Sequence, residues 1–147
     1  MDDTLYWLWL ADALGSACDY AADLLALYPN PRDLSESLRL GGTLPDFVSR
    51  NAATALRTTQ PGDFAARLEA CTAAKIAILT PDDADYPESF RFLPDLPLVL
   101  YATGGTACLN GRRYVGMVGT RRPTSYGSTA CHETSLALAK RGIVIVS

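Results

Sequence analysis

The sequence is poor in the side chains that bind metal ions or exchange electrons. It has a single histidine, and its four cysteines stand far apart with no C-x-x-C pair. This scarcity argues against a zinc site and against a redox-active cysteine pair. Small apolar residues flank most of the cysteines, so we expect reduced thiols in a cytoplasmic protein. The four are Cys18, Cys71, Cys108 and Cys131.

Targeting signals and long apolar runs are also missing. Two acidic residues follow Met1, where a secretory signal peptide would carry positive charge. The first apolar run begins at Leu5 and is interrupted at Asp12, so it is too short to cross a membrane. We therefore expect no membrane association. With 147 residues, of which 48% are hydrophobic, the chain can bury a core and has room for one domain or two small ones.

The net charge of −3 conceals an uneven distribution of charged residues. Residues 1–95 contain 15 acids and seven bases, whereas residues 96–147 contain six bases and one acid. A polyanion would therefore prefer the second part of the chain. Charge alone leaves open that these six bases are ordinary solvated surface residues.

One stretch, residues 114–127, combines the features of an anion site. Its first residues are apolar and predict a buried strand. We expect Gly119 to end this strand, because a side chain there would obstruct the turn. Arg121 and Arg122 follow in a loop, and a helix begins near Ser125. Ligands of open α/β sheets lie at the carboxyl ends of the strands, and free N–H groups at a helix start attract anions. The stretch therefore predicts a phosphate site.

The residues after this loop predict a helix and a second strand. Gly142 ends the helix, and residues 143–146 are a continuous β-branched run, which is typical of a parallel strand buried on both faces. Residues 114–146 therefore predict one β-α-β unit with a right-handed crossover. The helix carries a stripe of apolar and small residues at helical spacing. The stripe consists of Ala130, Thr134, Ala137 and Leu138.

Three ordered blocks of residues stand between about residue 76 and the last residue. They are Asp85-Tyr86-Pro87-x-x-Phe90 with Asp95-x-Pro97-x-Val99-Leu100-Tyr101-x-x-Gly104; Val118-Gly119-Thr120-Arg121 with Tyr126-Gly127; and Gly142-x-x-Ile145-Val146-Ser147. Together they resemble the DprA/Smf family of bacterial DNA-processing proteins. The resemblance implies an extended Rossmann fold that binds single-stranded DNA, protects it and helps to load the RecA recombinase during natural transformation. It also implies a homodimer for the full-length protein.

The resemblance places the DNA site in the loop of the second block. Arg121 corresponds to the DNA-contacting arginine of the family, and we rank Arg122 below it because Arg122 can point to solvent. Tyr126 is a candidate for stacking on a base, or else a packing residue at a helix start. No bond is broken in this scheme, so we predict no enzyme activity, no cofactor, no catalytic residue and no metal ligand. The predicted DNA- and phosphate-binding residues are Gly119, Thr120, Arg121, Arg122, Ser125 and Tyr126.

Residues 1–73 predict a domain of five short helices joined by Pro/Gly turns. The run from Leu5 to Leu10 is apolar all round, as in a helix buried in a bundle, and its aromatics predict core packing rather than a base-stacking platform. The domain resembles the SAM-like or helix-hairpin-helix-like domains of many family members, although residues 14–17 lack the G-x-G hairpin. Its many acids argue against independent DNA binding, so we interpret it as a packing or partner-binding module.

The predicted fold class is α/β. A helical domain at residues 1–73 precedes a Rossmann-like DNA-binding domain at residues 74–147, whose first strands we expect at residues 76–79 and 98–101. The chain stops directly after the second strand of the β-α-β unit, whereas an open doubly wound sheet needs more strands. We therefore expect it to be the truncated N-terminal part of a longer protein.

An enzymatic alternative stays open. A strand that ends in glycine, a small hydroxyl residue and arginine, followed by a Tyr-Gly helix start, is similar to the nucleotide phosphoribohydrolases of the lysine-decarboxylase-like family. That family carries its catalytic glutamate and a second glycine-rich loop later in the chain, and Glu133 on the helix body is a poor substitute. A dinucleotide-dependent oxidoreductase ranks third, since G-x-G-x-x-G is absent after both predicted strands of the β-α-β unit.

Overall fold

Six α-helices and four short strands make up the fold in a computed structural model, which describes residues 2–15 and 18–147. The helices are α1 (Asp3–Leu14), α2 (Ala21–Leu27), α3 (Pro31–Arg39), α4 (Arg50–Thr58), α5 (Ala65–Ala73) and α6 (Ser125–Ala139). The strands are β1 (Ile76–Leu79), β2 (Leu100–Thr103), β3 (Arg113–Gly116) and β4 (Ile143–Val146). The predicted mixed α/β class is confirmed. The chain divides into two compact parts, called here the first unit (Met1–Thr106) and the second unit (Ala107–Ser147).

Helix α1 forms the centre of the first unit. Five of its apolar residues are buried, so the helix is covered on every side, as its uninterrupted apolar run predicts. Its two tryptophans also satisfy their indole N–H groups. Trp7 Nε1 donates to Asp82 Oδ2 at 3.0 Å, and Trp9 Nε1 donates to the carbonyl of Thr59 at 3.2 Å. The prediction that these aromatics belong to the core is confirmed.

Polar caps set the starts of the helices in the first unit. The side chain of Asp2 accepts a hydrogen bond from the backbone N–H of Thr4 at 2.9 Å and thereby caps α1. Hydrogen bonding to the side chain of Thr4, and then to its backbone N–H, lowers the pKa of the Asp2 carboxyl group, because both favour the charged form. Asn30 and Ser49 cap α3 and α4 in the same way. Three of the short helices in this unit, α1, α3 and α4, therefore begin at a polar capping residue.

An antiparallel strand pair completes the first unit. β1 spans the predicted residues and pairs with β2, from Ile76 opposite Thr103 to Leu79 opposite Leu100. β2 begins at Leu100 rather than at the predicted residue 98, because Leu98 packs into the core of the helices, where it is 5% exposed. The strands thus share one hydrophobic core with the helical segment.

The second unit is a β-α-β arrangement. β3 and β4 pair in parallel, from Arg113 opposite Ile143 to Gly116 opposite Val146, and α6 connects them, so the predicted order is confirmed. The predicted burial is wrong. None of the described residues in this unit is fully buried, β4 is half-buried at best, and Val118 lies beyond β3 with 94% of its surface exposed. The reason is that one helix covers only one face of a two-stranded sheet.

The two strand pairs form separate two-stranded sheets in the described part of the chain. The last helix of the helical segment, α5, ends at Ala73, and β1 begins at Ile76. The boundary between the two compact units lies after Thr106. The domain limits 1–73 and 74–147 stay a prediction. The last two residues of the segment that lacks a G-x-G hairpin, Ser16 and Ala17, lie outside the described residues. No helix of residues 2–15 and 18–147 is long and apolar enough to span a bilayer.

Candidate functional site

The predicted phosphate loop connects β3 to α6 within the second unit. β3 ends at Gly116, and the N–H of the next residue, Met117, donates to the carbonyl of Val146 at 2.7 Å. The chain then leaves the sheet, and residues 118–124 lead to α6. The loop therefore lies at the carboxyl end of the parallel strands, where open α/β sheets bind their ligands.

Thr124 caps α6 and leaves two backbone amides open at its start. Its side chain accepts from the N–H of Gly127 at 3.1 Å, and its carbonyl accepts from the N–H of Ser128 at 2.9 Å. No described residue accepts a hydrogen bond from the backbone amides of Ser125 and Tyr126. These two N–H groups stand at the positive end of a 15-residue helix and can donate to an anion.

A cavity of about 810 Å³ opens beside the loop and the first turns of α6. Three of the predicted site residues line it, and three lie outside its wall. The lining residues are Gly119, Thr120 and Arg122, and those outside are Arg121, Ser125 and Tyr126. The rest of the wall consists of Met117, Val118, Pro123, Thr124, Gly127, Ser128, Cys131, His132, Ser135 and Ser147.

The two arginines of the loop are exposed, and their guanidinium groups form no ion pair or hydrogen bond with any described residue. The hydroxyl of Thr120 accepts from the backbone N–H of Arg122 at 3.3 Å, which holds this part of the loop in a turn. Arg122, ranked second from the sequence, lies in the cavity wall, whereas Arg121 lies outside it. No acidic side chain is among the described residues that line the cavity, and Arg122 contributes a positive charge to its wall.

The structure explains Gly119 differently from the sequence argument. Its backbone is not left-handed, and a Cβ atom built on it would meet no atom within 4 Å. The prediction that a side chain would obstruct the turn is therefore wrong. Gly119 lines the cavity instead, so a side chain at this position would occupy space next to a ligand.

The sequence argument missed the part of the site that the body of α6 contributes. Ser128, His132 and Ser135 line the cavity and occupy helical positions i, i+4 and i+7. His132 is the single histidine of the sequence. The signal was present, because three polar residues at this spacing lie on one face of a helix. Of the predicted apolar stripe, Ala130 and Leu138 are half-buried and Thr134 and Ala137 are exposed.

Comparison with known proteins identifies the segment that carries this site. Residues 77–147 match the family described as DNA recombination-mediator protein A. Protein Smf of Synechocystis sp. is 44% identical over 72 residues, which are 47% of this chain and 18% of that protein. DNA processing protein DprA of Bacillus subtilis is 39% identical over 62 residues, which are 42% of this chain and 21% of that protein. This segment is therefore similar to proteins of the DprA/Smf family.

The DprA/Smf match covers a limited part of the relatives. The chain aligns with about a fifth of the length of each curated protein. No solved structure matches the chain. What the family assignment supports directly is therefore the segment that holds β2, the loop and α6.

The first block of the DprA/Smf resemblance has a structural role in the first unit. Tyr86 is fully buried, and its hydroxyl group donates to the carbonyl of Pro97. The guanidinium of Arg91 lies over the Tyr86 ring, 5.3 Å from its centroid. Burial raises the pKa of Tyr86 to about 12. These contacts tie the segment after β1 to the segment before β2.

Proposed function

We propose that the loop between β3 and α6 binds the phosphates of single-stranded DNA. One observation carries the proposal. The guanidinium groups of Arg121 and Arg122, which have no partner among the described residues, lie close in sequence to the backbone amides at the start of α6 that no described residue engages, those of Ser125 and Tyr126. The described residues that line the neighbouring cavity include no acid. Guanidinium and backbone N–H donors are the groups that contact phosphate oxygens in nucleic-acid complexes.

The charge distribution and the comparisons support a nucleic-acid ligand. The second unit carries six bases and one acid, so a polyanion is attracted to it. The matched family is described as a recombination mediator, and the Bacillus subtilis relative is named a DNA processing protein. Both descriptions favour DNA over the mononucleotide that a phosphoribohydrolase would bind.

In the whole protein, the proposed activity is that of a cytoplasmic recombination mediator. It would protect incoming single-stranded DNA and help to load RecA during natural transformation, as a homodimer and without breaking a bond or using a cofactor. In this proposal residues 1–73 form a SAM-like or helix-hairpin-helix-like domain, and residues 74–147 belong to an extended Rossmann fold. The DprA/Smf assignment supports these properties by resemblance.

Each site residue has a distinct role in the proposal. Arg121 and Arg122 neutralise successive phosphates. The Thr120 hydroxyl group holds the turn through its hydrogen bond with the backbone N–H of Arg122, and Gly119 leaves room in the cavity wall. The Ser125 amide donates to a phosphate oxygen at the helix start. Tyr126, which is 83% exposed, offers its ring to a base.

The test is fluorescence anisotropy with a labelled single-stranded oligonucleotide and its duplex over a range of salt concentrations. We expect saturable binding of the single strand that weakens as salt rises, because bound phosphates release counterions. Arg121→Ala and Arg122→Ala should each weaken binding by about 1–3 kcal/mol, the scale of a hydrogen bond to a charged group. Arg113→Ala is the matched control, because Arg113 lies at the opposite end of β3.

Two further results decide between the hypotheses. Tyr126→Phe should keep the affinity and Tyr126→Ala should lower it by about 1–3 kcal/mol if the ring stacks on a base. Equal loss in Arg113→Ala and in the two loop variants would show that the loop is not the site. Absence of oligonucleotide binding at low salt, together with release of a free base from a nucleoside monophosphate, would move the phosphoribohydrolase alternative to first place.

A further inference from the structure

A second cavity lined by arginines lies in the first unit, although that unit is acidic. It has a volume of about 180 Å³ and is bounded by α1, α3 and α4. Two arginines, Arg39 at the end of α3 and Arg57 near the end of α4, line it together. None of the described residues in its wall is acidic. Arg39 and Arg57 are both exposed, so two cations border a cavity whose described wall has no carboxylate, and an anion there would be attracted to both.

The guanidinium group of Arg57 is held in place. Its Nη2 atom donates to the carbonyl of Gly42 at 3.1 Å. Gly42 is itself fixed, because its N–H donates to the carbonyl of Ser37 at 2.8 Å, and a Cβ atom at this position would lie 2.3 Å from Ser37 Oγ. Gly41 adopts a φ of +86°, which completes a Schellman ending of α3. Arg57 therefore needs little ordering to receive a ligand.

The same helix ending engages the last carbonyl groups of α3, near Arg39, in backbone hydrogen bonds. The N–H groups of Leu40, Gly41 and Gly42 all donate back into the last turn of α3. The guanidinium of Arg39 forms no ion pair or hydrogen bond with the described residues, so its donors are available. The negative end of the helix is thus satisfied by its own backbone, and the cation remains exposed next to the cavity.

Neutral polar groups complete the cavity. The Ser35 hydroxyl and the Gln60 amide line it and can donate to oxygen atoms. The floor includes Trp9, whose indole N–H is already bonded to the carbonyl of Thr59 and does not compete. A neighbouring cavity of about 360 Å³ shares Ser35, Arg39 and Gln60 with this one. It leaves room for a group attached to the bound anion.

We propose that this cavity binds a single phosphate group, as inorganic phosphate or as the phosphate of a mononucleotide. Paired arginines with hydroxyl and amide donors match the charge and the oxygen atoms of phosphate. A long nucleic acid is a poorer fit, because residues 1–95 carry eight more acids than bases and repel a polyanion. A small dianion enters with far less of this repulsion. The site is separate from the loop between β3 and α6.

The test uses the full chain with Arg121→Ala and Arg122→Ala, so that the loop does not contribute. Two-dimensional ¹H–¹⁵N spectra are recorded while inorganic phosphate, adenosine monophosphate or a short single-stranded oligonucleotide is added at constant ionic strength. We expect saturable shifts of the Ser35, Gln60 and Gly42 amides with phosphate and with the mononucleotide. Arg39→Gln should weaken binding by roughly tenfold or more, because a charge-assisted contact is lost. Arg50→Gln, at the exposed start of α4, is the matched control and should leave it unchanged.

Other outcomes overturn or narrow the proposal. Shifts that rise linearly with phosphate, or that are the same in the Arg39→Gln and Arg50→Gln variants, would show that the cavity does not bind phosphate. Saturation by the oligonucleotide alone would show that the ligand is a nucleic-acid strand and would contradict the choice of a small anion. Arg39 makes no contact that holds the described fold together, so its replacement tests binding without unfolding. A negative result for phosphate binding at this cavity would not change the anisotropy result for the loop between β3 and α6. A negative anisotropy result would likewise not change the result for this cavity.

Discussion

The two compact units of the chain use their residues in opposite ways. The first unit contains every fully buried residue of the described chain and 15 of the 16 acids, whereas the second unit contains six bases, one acid and no fully buried residue. The first unit is built around α1, which is covered on all sides. The second unit presents a loop and a helix start to solvent. Stability and the proposed binding of DNA are therefore carried by different parts of the sequence.

The contrast follows from the residues available for packing. Six consecutive apolar residues in α1 make contacts in all directions, so four other helices can pack around it. In the second unit, a polar stripe on α6 borders the cavity, and the apolar residues of β3 and β4 have one helix to cover them. A surface that binds a polyanion needs exposed cations and open amides, and both require residues that are not buried.

The largest expected effect is a loss of stability when a core residue of the first unit is replaced. Trp9→Ala should lower the free energy of unfolding by about 3–5 kcal/mol, because Trp9 is 1% exposed and its replacement leaves a large void. Val118→Ala, the comparison variant in the second unit, should change it by less than about 0.5 kcal/mol, because Val118 is 94% exposed. Urea unfolding followed by circular dichroism measures both. Similar losses would mean that Val118 is buried in solution.

Replacement of one glycine in each unit compares the stability of the two units at a smaller expected effect. Gly42→Ala should destabilise the protein by about 1–3 kcal/mol, because the new methyl group would overlap the oxygen atoms of Ser37. Gly119→Ala should leave stability within about 0.5 kcal/mol, since its methyl group meets no atom within 4 Å. Thermal unfolding gives both values, and the effect of Gly119→Ala should appear instead in oligonucleotide affinity. A large loss of stability in Gly119→Ala would contradict the open geometry of the loop.

The helix caps allow a matched test of one interaction in both units. Asp2→Ala and Thr124→Ala should each cost about 1 kcal/mol of stability, because each side chain accepts a backbone N–H at a helix start. The two effects should differ in their pH dependence. The folded pKa of Asp2 lies below its ordinary value of 3.8, so its contribution is present above that pH and is lost as the pH falls through the folded pKa. The Thr124 hydroxyl does not titrate. Equal loss of both caps in acid would contradict this assignment.

The last comparison concerns a titration that does not change stability at neutral pH. Tyr86 has a folded pKa of about 12, raised by burial from an ordinary value of 10.0. Between these two values the folded protein holds a proton that the unfolded chain has released, so stability falls as the pH rises. Tyr86→Phe should remove this alkaline decline, and unfolding midpoints measured from pH 7 to pH 12 show whether it does. An alkaline decline that is the same in the variant would assign it to other groups.

Much of the local structure followed from residue type. The apolar run at Leu5 to Leu10 predicts the buried helix, and the β-branched run of β4 predicts a strand that pairs in parallel with β3. The loop was placed correctly between β3 and α6, because glycine and two arginines interrupt a regular pattern, but the prediction that the strand ends at Gly119 is wrong, since β3 ends at Gly116. The start of β2 was predicted too early, since Leu98 is apolar whether it lies in a strand or in a helical core.

The site was predicted less completely than the fold. The sequence argument ranks Arg121 above Arg122, whereas the structure places Arg122 in the cavity wall and Arg121 outside it. Ser128 and His132 join the same wall from α6, because the turn at Thr124 brings the first turns of the helix beside the loop. Such proximity depends on the direction in which a helix leaves its cap, which residue composition does not specify.

By itself, the sequence determined the class of the fold, most of the helices and strands, the uneven charge and the similarity of residues 77–147 to the DprA/Smf family. These properties depend on periodicity, on turn chemistry and on ordered blocks of residues, all of which are local along the chain. The tertiary structure alone decided which residues share a cavity, which amides are left open and how far each side chain is buried. Those properties depend on residues that are distant in sequence and adjacent in space, as Arg39 and Arg57 are in the first unit.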